Sequence, residues 1–259
     1  MTYEQYRKTE FSEGPYVLVI RSSASPDHAL YYFGEQHSFN DANPQWDKVK
    51  TLWKEFLATT SGKRIAIVEG GKRAIRKAEQ ESILEDGGMG LLTFLASQEG
   101  IETYSAEPSE AFERSELEKN FSRDQIQYYY FARMAYQWNR KEQPKPDFEK
   151  YMEWALTSDA AQSGWKDYDF SLAHMKQIHR DILNTEFSEA DADFLFSVID
   201  PTVEKGTIVN AVSQGSSIVR DMFIVNEIQR LWTEGYSIFA QYGWSHVAIQ
   251  EPLLREIIS

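Results

Sequence analysis

Apolar residues fall along this chain in two patterns: short unbroken runs that stop at small or acidic residues, and longer stretches in which they recur every three or four positions. Residues 16–21 and 29–33 are β-rich runs of the first kind, separated by the polar segment 22–28, and predict a hairpin. Beyond Asn43-Pro44, the positions Trp46, Val49, Leu52, Trp53, Phe56 and Leu57 recur at helical spacing and predict an amphipathic helix. Ser61-Gly62-Lys63 breaks it, and residues 64–71 read as the next strand, with Glu69 where the apolar run stops. Residues 72–85 read as a charged helix and 86–90, Asp-Gly-Gly-Met-Gly, as a turn, because the Gly-Lys-Ser/Thr ending of a phosphate loop is missing. A helix over 91–98 and a short strand over 101–108 follow. Strand, helix and strand in succession predict an α/β fold with a mostly parallel central sheet flanked by helices.

From residue 110 to about 200 the pattern is helical only. Residues 125–140 are dense in aromatics (Tyr128, Tyr129, Tyr130, Phe131, Tyr136, Trp138), and further helical runs cover 148–156, 172–183 and 189–198. The expected organisation is one α/β domain over 1–259 with a helical insert at about 110–205, placed as a lid or substrate wall over the strand ends. Aromatics at this density build core more often than they build a ligand cage. His174 and His179 lie five apart on one helix, roughly 140° around it, so they do not form a two-histidine metal face. Residues 206–217, with small residues at Gly206, Ala211, Ser213 and Gly215 to Ser217, read as a loop. The helix expected over 218–232 carries Arg220, Asp221 and Asn226 near its start, a strand covers 236–242, and a last helix covers 251–257.

Composition narrows the chemistry. A formal net charge of -13 over 259 residues argues against a nucleic-acid partner, since affinity for the phosphate backbone comes from Lys and Arg. The absence of cysteine excludes disulfides, thiolate metal sites and a cysteine nucleophile. The first eight residues have no apolar core of signal-peptide length and no uncharged run approaches about 20 residues, so a soluble, cytoplasmic protein with no membrane partner is expected.

Reactive side chains collect where strand runs stop. Gly34-Glu35-Gln36-His37 ends one run and Gly243-Trp244-Ser245-His246 ends another, a twin Gly-x-x-His pattern at two positions far apart in sequence. Glu69 and Glu107 end two more runs. In an open α/β sheet the carboxyl ends of the strands line the ligand crevice, so both histidines face one site if their strands are neighbours. Two imidazoles with several carboxylates suit a divalent metal (Zn, Mn or Fe) held by His37, Glu69 and His246, or metal-free activation of water by a His–Glu pair. Either route gives hydrolysis of a small-molecule or peptide substrate, with Glu35 among the catalytic groups. Arg220 adds a fixed positive charge for a substrate anion or an oxyanion. Asp221 in a first helical turn is also explained by the helix dipole.

Taken together, Gly34-Glu35-Gln36-His37, Val68-Glu69-Gly70-Gly71, Ala106-Glu107-Pro108, Arg220-Asp221-Met222 with Asn226, and Gly243-Trp244-Ser245-His246 resemble the superfamily that joins erythromycin esterases, ChaN-like haem-binding lipoproteins and TraB/TIKI proteins. The resemblance covers residues 16–110 and 205–257. It implies an α/β fold with its site at the strand ends, and Glu107, Asp221 and Asn226 as ligand-binding residues. It divides on mechanism. TIKI-type members imply a metal-dependent peptidase using both Gly-x-x-His motifs, whereas erythromycin esterases imply a histidine base without metal. ChaN-like members imply non-catalytic binding of haem or another small molecule, and the same scaffold also allows a biosynthetic lyase or cyclase.

Overall fold

A computed structural model describes residues 1–9, 15–141, 144–203 and 206–258. The chain forms two compact units, one of residues 1–107 with 221–259 and one of residues 108–220.

The first unit is built on a five-stranded sheet of order β1-β2-β5-β3-β4. Its strands are β1 (Tyr16–Arg21), β2 (Ala29–Glu35), β3 (Lys63–Val68), β4 (Glu102–Tyr104) and β5 (Tyr236–Gly243). β1 pairs antiparallel with β2, as the hairpin pattern predicts, and the other pairings are parallel. The helices α1 (Tyr3–Lys8), α2 (Gln45–Thr59), α3 (Glu79–Gln98) and α10 (Trp244–Ile257) belong to this unit. Strand alternation sends Tyr31, Phe33, Ala66, Val68 and Phe239 to one face, against Trp46, Val49, Trp53 and Phe56 of α2 and Leu91 and Leu92 of α3. Leu18, Tyr32, Ile67, Ile238 and Tyr242 face the other way. They pack on Val247 and Leu254 of α10 and on Ile224, Val225 and Ile228 of α9 (Ile208–Thr233). Because both faces are covered, all seven residues of β2 are buried.

The second unit is helical: α4 (Glu110–Leu117), α5 (Arg123–Asn139), α6 (Phe148–Gln162), α7 (Leu172–Leu183), α8 (Ala192–Ile199) and the first half of α9. Its core takes in Tyr128, Tyr129, Tyr130 and Phe131, so the aromatic run is packing material. His179 is buried there, with Nδ1 2.5 Å from the Tyr128 hydroxyl and Nε2 3.0 Å from Thr185 Oγ1.

Four expectations need correction. Residues 206–217 are not a loop; from Ile208 they are helix, and their small side chains are what close packing requires. A Cβ on Gly215 would sit 3.0 Å from the Phe121 ring and 3.1 Å from Leu117, and Ser216 Oγ donates to Glu113 Oε1 at 2.5 Å. Arg220 and Asp221 consequently lie in mid-helix, and the helix-dipole explanation of Asp221 falls. The last helix begins at Trp244 rather than near 251, directly from β5. Finally, the helix expected over 72–85 starts only at Glu79, and the segment 86–90 continues it across a kink at Gly87 (φ 62°) instead of ending it. Among the described residues no helix is long and apolar enough to cross a membrane.

Candidate functional site

Sheet register brings the reactive ends together. Glu35 pairs with Gly243, and Gln241 with Val68, so the carboxyl ends of β2, β5 and β3 reach one edge side by side. Glu35 is the last residue of β2, Glu69 follows β3 directly, and Gly243 is both the end of β5 and the N-cap of α10. His246 is thus a first-turn residue of α10 rather than a strand end. The two Gly-x-x-His segments lie on neighbouring strands.

Both imidazoles are held in the same way. His37 Nδ1 is 2.7 Å from Glu35 Oε1, and its Nε2 lies 3.7 Å from Glu69 Oε2. His246 Nδ1 is 2.6 Å from Asp221 Oδ1, and its Nε2 lies 3.8 Å from Glu69 Oε1. One carboxylate is therefore shared by two rings, one oxygen to each. The longer separations exceed direct hydrogen-bonding distance. A carboxylate acceptor requires a donor at Nδ1, which fixes that proton and leaves Nε2 facing Glu69. For His246 the assignment is firm: Asp221 already accepts from Gln250 Nε2 at Oδ1 (2.7 Å) and from the Tyr3 hydroxyl at Oδ2 (3.0 Å). The two rings differ in access, since the side chain of His37 is 58% exposed and that of His246 10%.

Glu69 is held from the backbone. Its Oε2 accepts the Gly243 N–H at 2.7 Å, one of the amides that a helix start leaves without an intrahelical partner, and its own N–H donates to Met89 Sδ at 3.3 Å. Glu35 is buried and accepts from Gln241 Nε2 at 2.5 Å through Oε2. Gly88 makes this pair feasible: a Cβ there would stand 1.7 Å from Glu35 Oε2 and 2.3 Å from Gln241 Nε2. The glycines of residues 86–90, taken in sequence for a turn, bring a helix backbone against the buried carboxylate.

A second layer backs His246. Tyr32 donates to Gln250 Oε1 at 2.9 Å, and Gln250 in turn donates to Asp221. Burial pushes the Tyr32 hydroxyl well above its ordinary pKa, and the charges of Tyr242, Asp221, Glu69 and Glu107 push it the same way, so it stays a donor. Of the remaining residues singled out in sequence, Glu107 lies three residues beyond β4, half-buried, with its charge felt at Tyr32. Asn226 is exposed and roughly 140° around α9 from Asp221, so it is not brought to these histidines. Arg220 falls in the helical unit, where its charge acts on Arg133. Tyr3, Tyr32, Gly88, Met89, Gln241 and Gln250 escaped sequence reasoning. Of these, only the Gly-Gly-Met-Gly cluster carried a local signal.

Among the described residues no group of three or more His, Asp or Glu stands in an arrangement that holds a metal ion. Both nitrogens of buried His179 are bonded, and the aromatics around it are core. No family model, no curated protein and no solved structure matches this chain.

Proposed function

We propose that this protein is a hydrolase of esterase or peptidase type that activates water with His37, Glu69 and His246. The observation that carries the reading is the shared carboxylate: two imidazoles, each fixed at Nδ1 by its own acid, turn Nε2 toward the two oxygens of Glu69. A base that takes a proton from water and hands it on to the leaving group is what acyl transfer to water needs. His37, the more exposed ring, takes a proton from water as the water oxygen bonds to the acyl carbon. His37 then gives that proton to the leaving alkoxide or amine as the C–O or C–N bond breaks, while His246, kept as the Nδ1–H tautomer by Asp221, accepts a hydrogen bond from the same water at Nε2. Glu69, between the rings, steadies the charge that forms on His37, as a carboxylate does for imidazolium.

The test is hydrolysis of a panel of aryl esters, alkyl esters and peptide amides by the purified protein and by His37→Ala and His246→Ala. Wild type is expected to turn over at least one class. His37→Ala should lose that activity while its melting temperature stays close to wild type, because a largely exposed ring packs little. No turnover across the panel, or full activity per folded molecule in His37→Ala, would overturn the reading.

A further inference from the structure

Immediately after Glu69 and two glycines, Lys72, Arg73, Arg76 and Lys77 crowd into six positions of a chain that has 40 acids to 27 bases. Arg76 is neutralised by Asp86, at 3.1 and 3.3 Å. Arg73 is not neutralised. Its Nη1 donates to Gly70 O at 2.8 Å and its Nη2 to Glu69 O at 3.3 Å, so the guanidinium folds back onto the strand end that carries the shared carboxylate. It pairs with no acid among the described residues, and its Nε is buried without a hydrogen-bond partner. A half-buried guanidinium held by two carbonyls and lacking a counter-charge is a preorganised anion receptor, since Arg offers a planar fork of donors.

The loop that carries Arg73 and the loop that follows His37 each expose an apolar side chain. Ile75 is 68% exposed and Phe39, two residues past His37, is 55% exposed. The two loops that carry them share a floor, the first half of α3. Gln80 donates to Asp41 at 2.5 Å, Asp86 holds Arg76, and the Phe39 ring and Ser38 O lie 3.8 and 3.0 Å from where a Cβ on Gly87 would be.

We propose that residues 70–77 are the specificity loop of this site and that the substrate is an organic anion, its carboxylate or phosphate on Arg73 and its apolar body against Ile75 and Phe39. This deepens the hydrolase reading and rests on it for the word substrate; the binding itself is tested without turnover. The measurement is an imidazole-resolved NMR titration at constant ionic strength with benzoate, phenyl phosphate and the neutral comparator benzyl alcohol. At least one of the two anions should shift the His37 ring resonances saturably, while benzyl alcohol does not. The tighter anion tells carboxylate from phosphate. Arg73→Gln should weaken that anion at least tenfold with an unchanged melting temperature, Arg73→Lys by less. Equal affinity in Arg73→Gln, equal binding of benzyl alcohol, or no saturable shift with either anion would overturn the inference. Anion binding without hydrolysis of any ester or amide would leave the receptor standing and remove the hydrolase reading alone.

Discussion

His246 directs Nδ1 at Asp221 Oδ1 across 2.6 Å, and Asp221 reaches that ring from mid-helix in α9, where Gln250 donates to the same oxygen and Tyr3 to the other. An acid so placed does one thing for an imidazole: it decides which nitrogen carries the proton. Asp221→Asn keeps the shape but presents an amide that satisfies either tautomer. Hydrolytic kcat/KM should drop by about 100-fold or more, in line with tautomer loss in Ser-His-Asp sites. Long-range nitrogen NMR on the ring should show the Nε2-protonated form appearing. Wild-type kcat/KM with the tautomer unchanged would remove Asp221 from the mechanism.

Gly88 is expected to tolerate no side chain. With Glu35 Oε2 only 1.7 Å from the position of an added Cβ, Gly88→Ala must push the carboxylate or the α3 backbone aside. The cost should be about 1–3 kcal/mol in urea unfolding, the range for overpacked interiors, and His37 should lose its Nδ1 partner. Because the clash is with a named group, Glu35→Ala should recover part of that cost in the double variant. Strict additivity of the two single changes would show that the strain lies elsewhere.

The sheet and the two Gly-x-x-His strand ends were readable in sequence because strands buried on both faces are unbroken apolar runs that end where the polar chemistry begins, whereas the adjacency of those two strands comes only from the sheet order. What stayed hidden depends on register and approach, which no local pattern encodes. Nothing in the neighbourhood of Gln241 or Gln250 says that one amide meets Glu35 and the other Asp221. Residues 206–217 read as a loop because Gly and Ser are weak helix formers, yet from Ile208 they form helix, with Gly215 where a side chain would crowd Phe121 and Leu117. The same misreading put Arg220 and Asp221 at a helix start, and with it the expectation that the dipole explains the acid.

Chelation separates the two routes that the residue types alone left open. If imidazoles and Glu69 carry the reaction by themselves, exhaustive dialysis against a chelator should leave hydrolysis within twofold of the untreated protein, and added Zn or Mn should not raise it. Loss of activity on dialysis with recovery on adding back one metal would replace the acid–base scheme by a metal-assisted one, since metal-ligand binding is reversible and pH-dependent.

His179 makes a prediction about the helical unit. Burial lowers its pKa below the ordinary value of about 6.5, with the Glu186 charge opposing the shift. The ring is neutral in the folded core and free to protonate in the unfolded chain. As pH falls through about 6.5 the unfolded state takes up a proton that the folded state refuses, so the stability this ring confers is present above that pH, is lost on the way down to the folded pKa, and then levels off. Melting temperatures of wild type and His179→Gln between pH 8 and 5 isolate the effect, because the comparison is of slopes rather than of absolute values. Wild type should lose stability faster than the variant as the medium is acidified below about 6.5. Parallel curves would mean that the ring titrates alike in both states, and that its contacts with Tyr128 and Thr185 survive protonation.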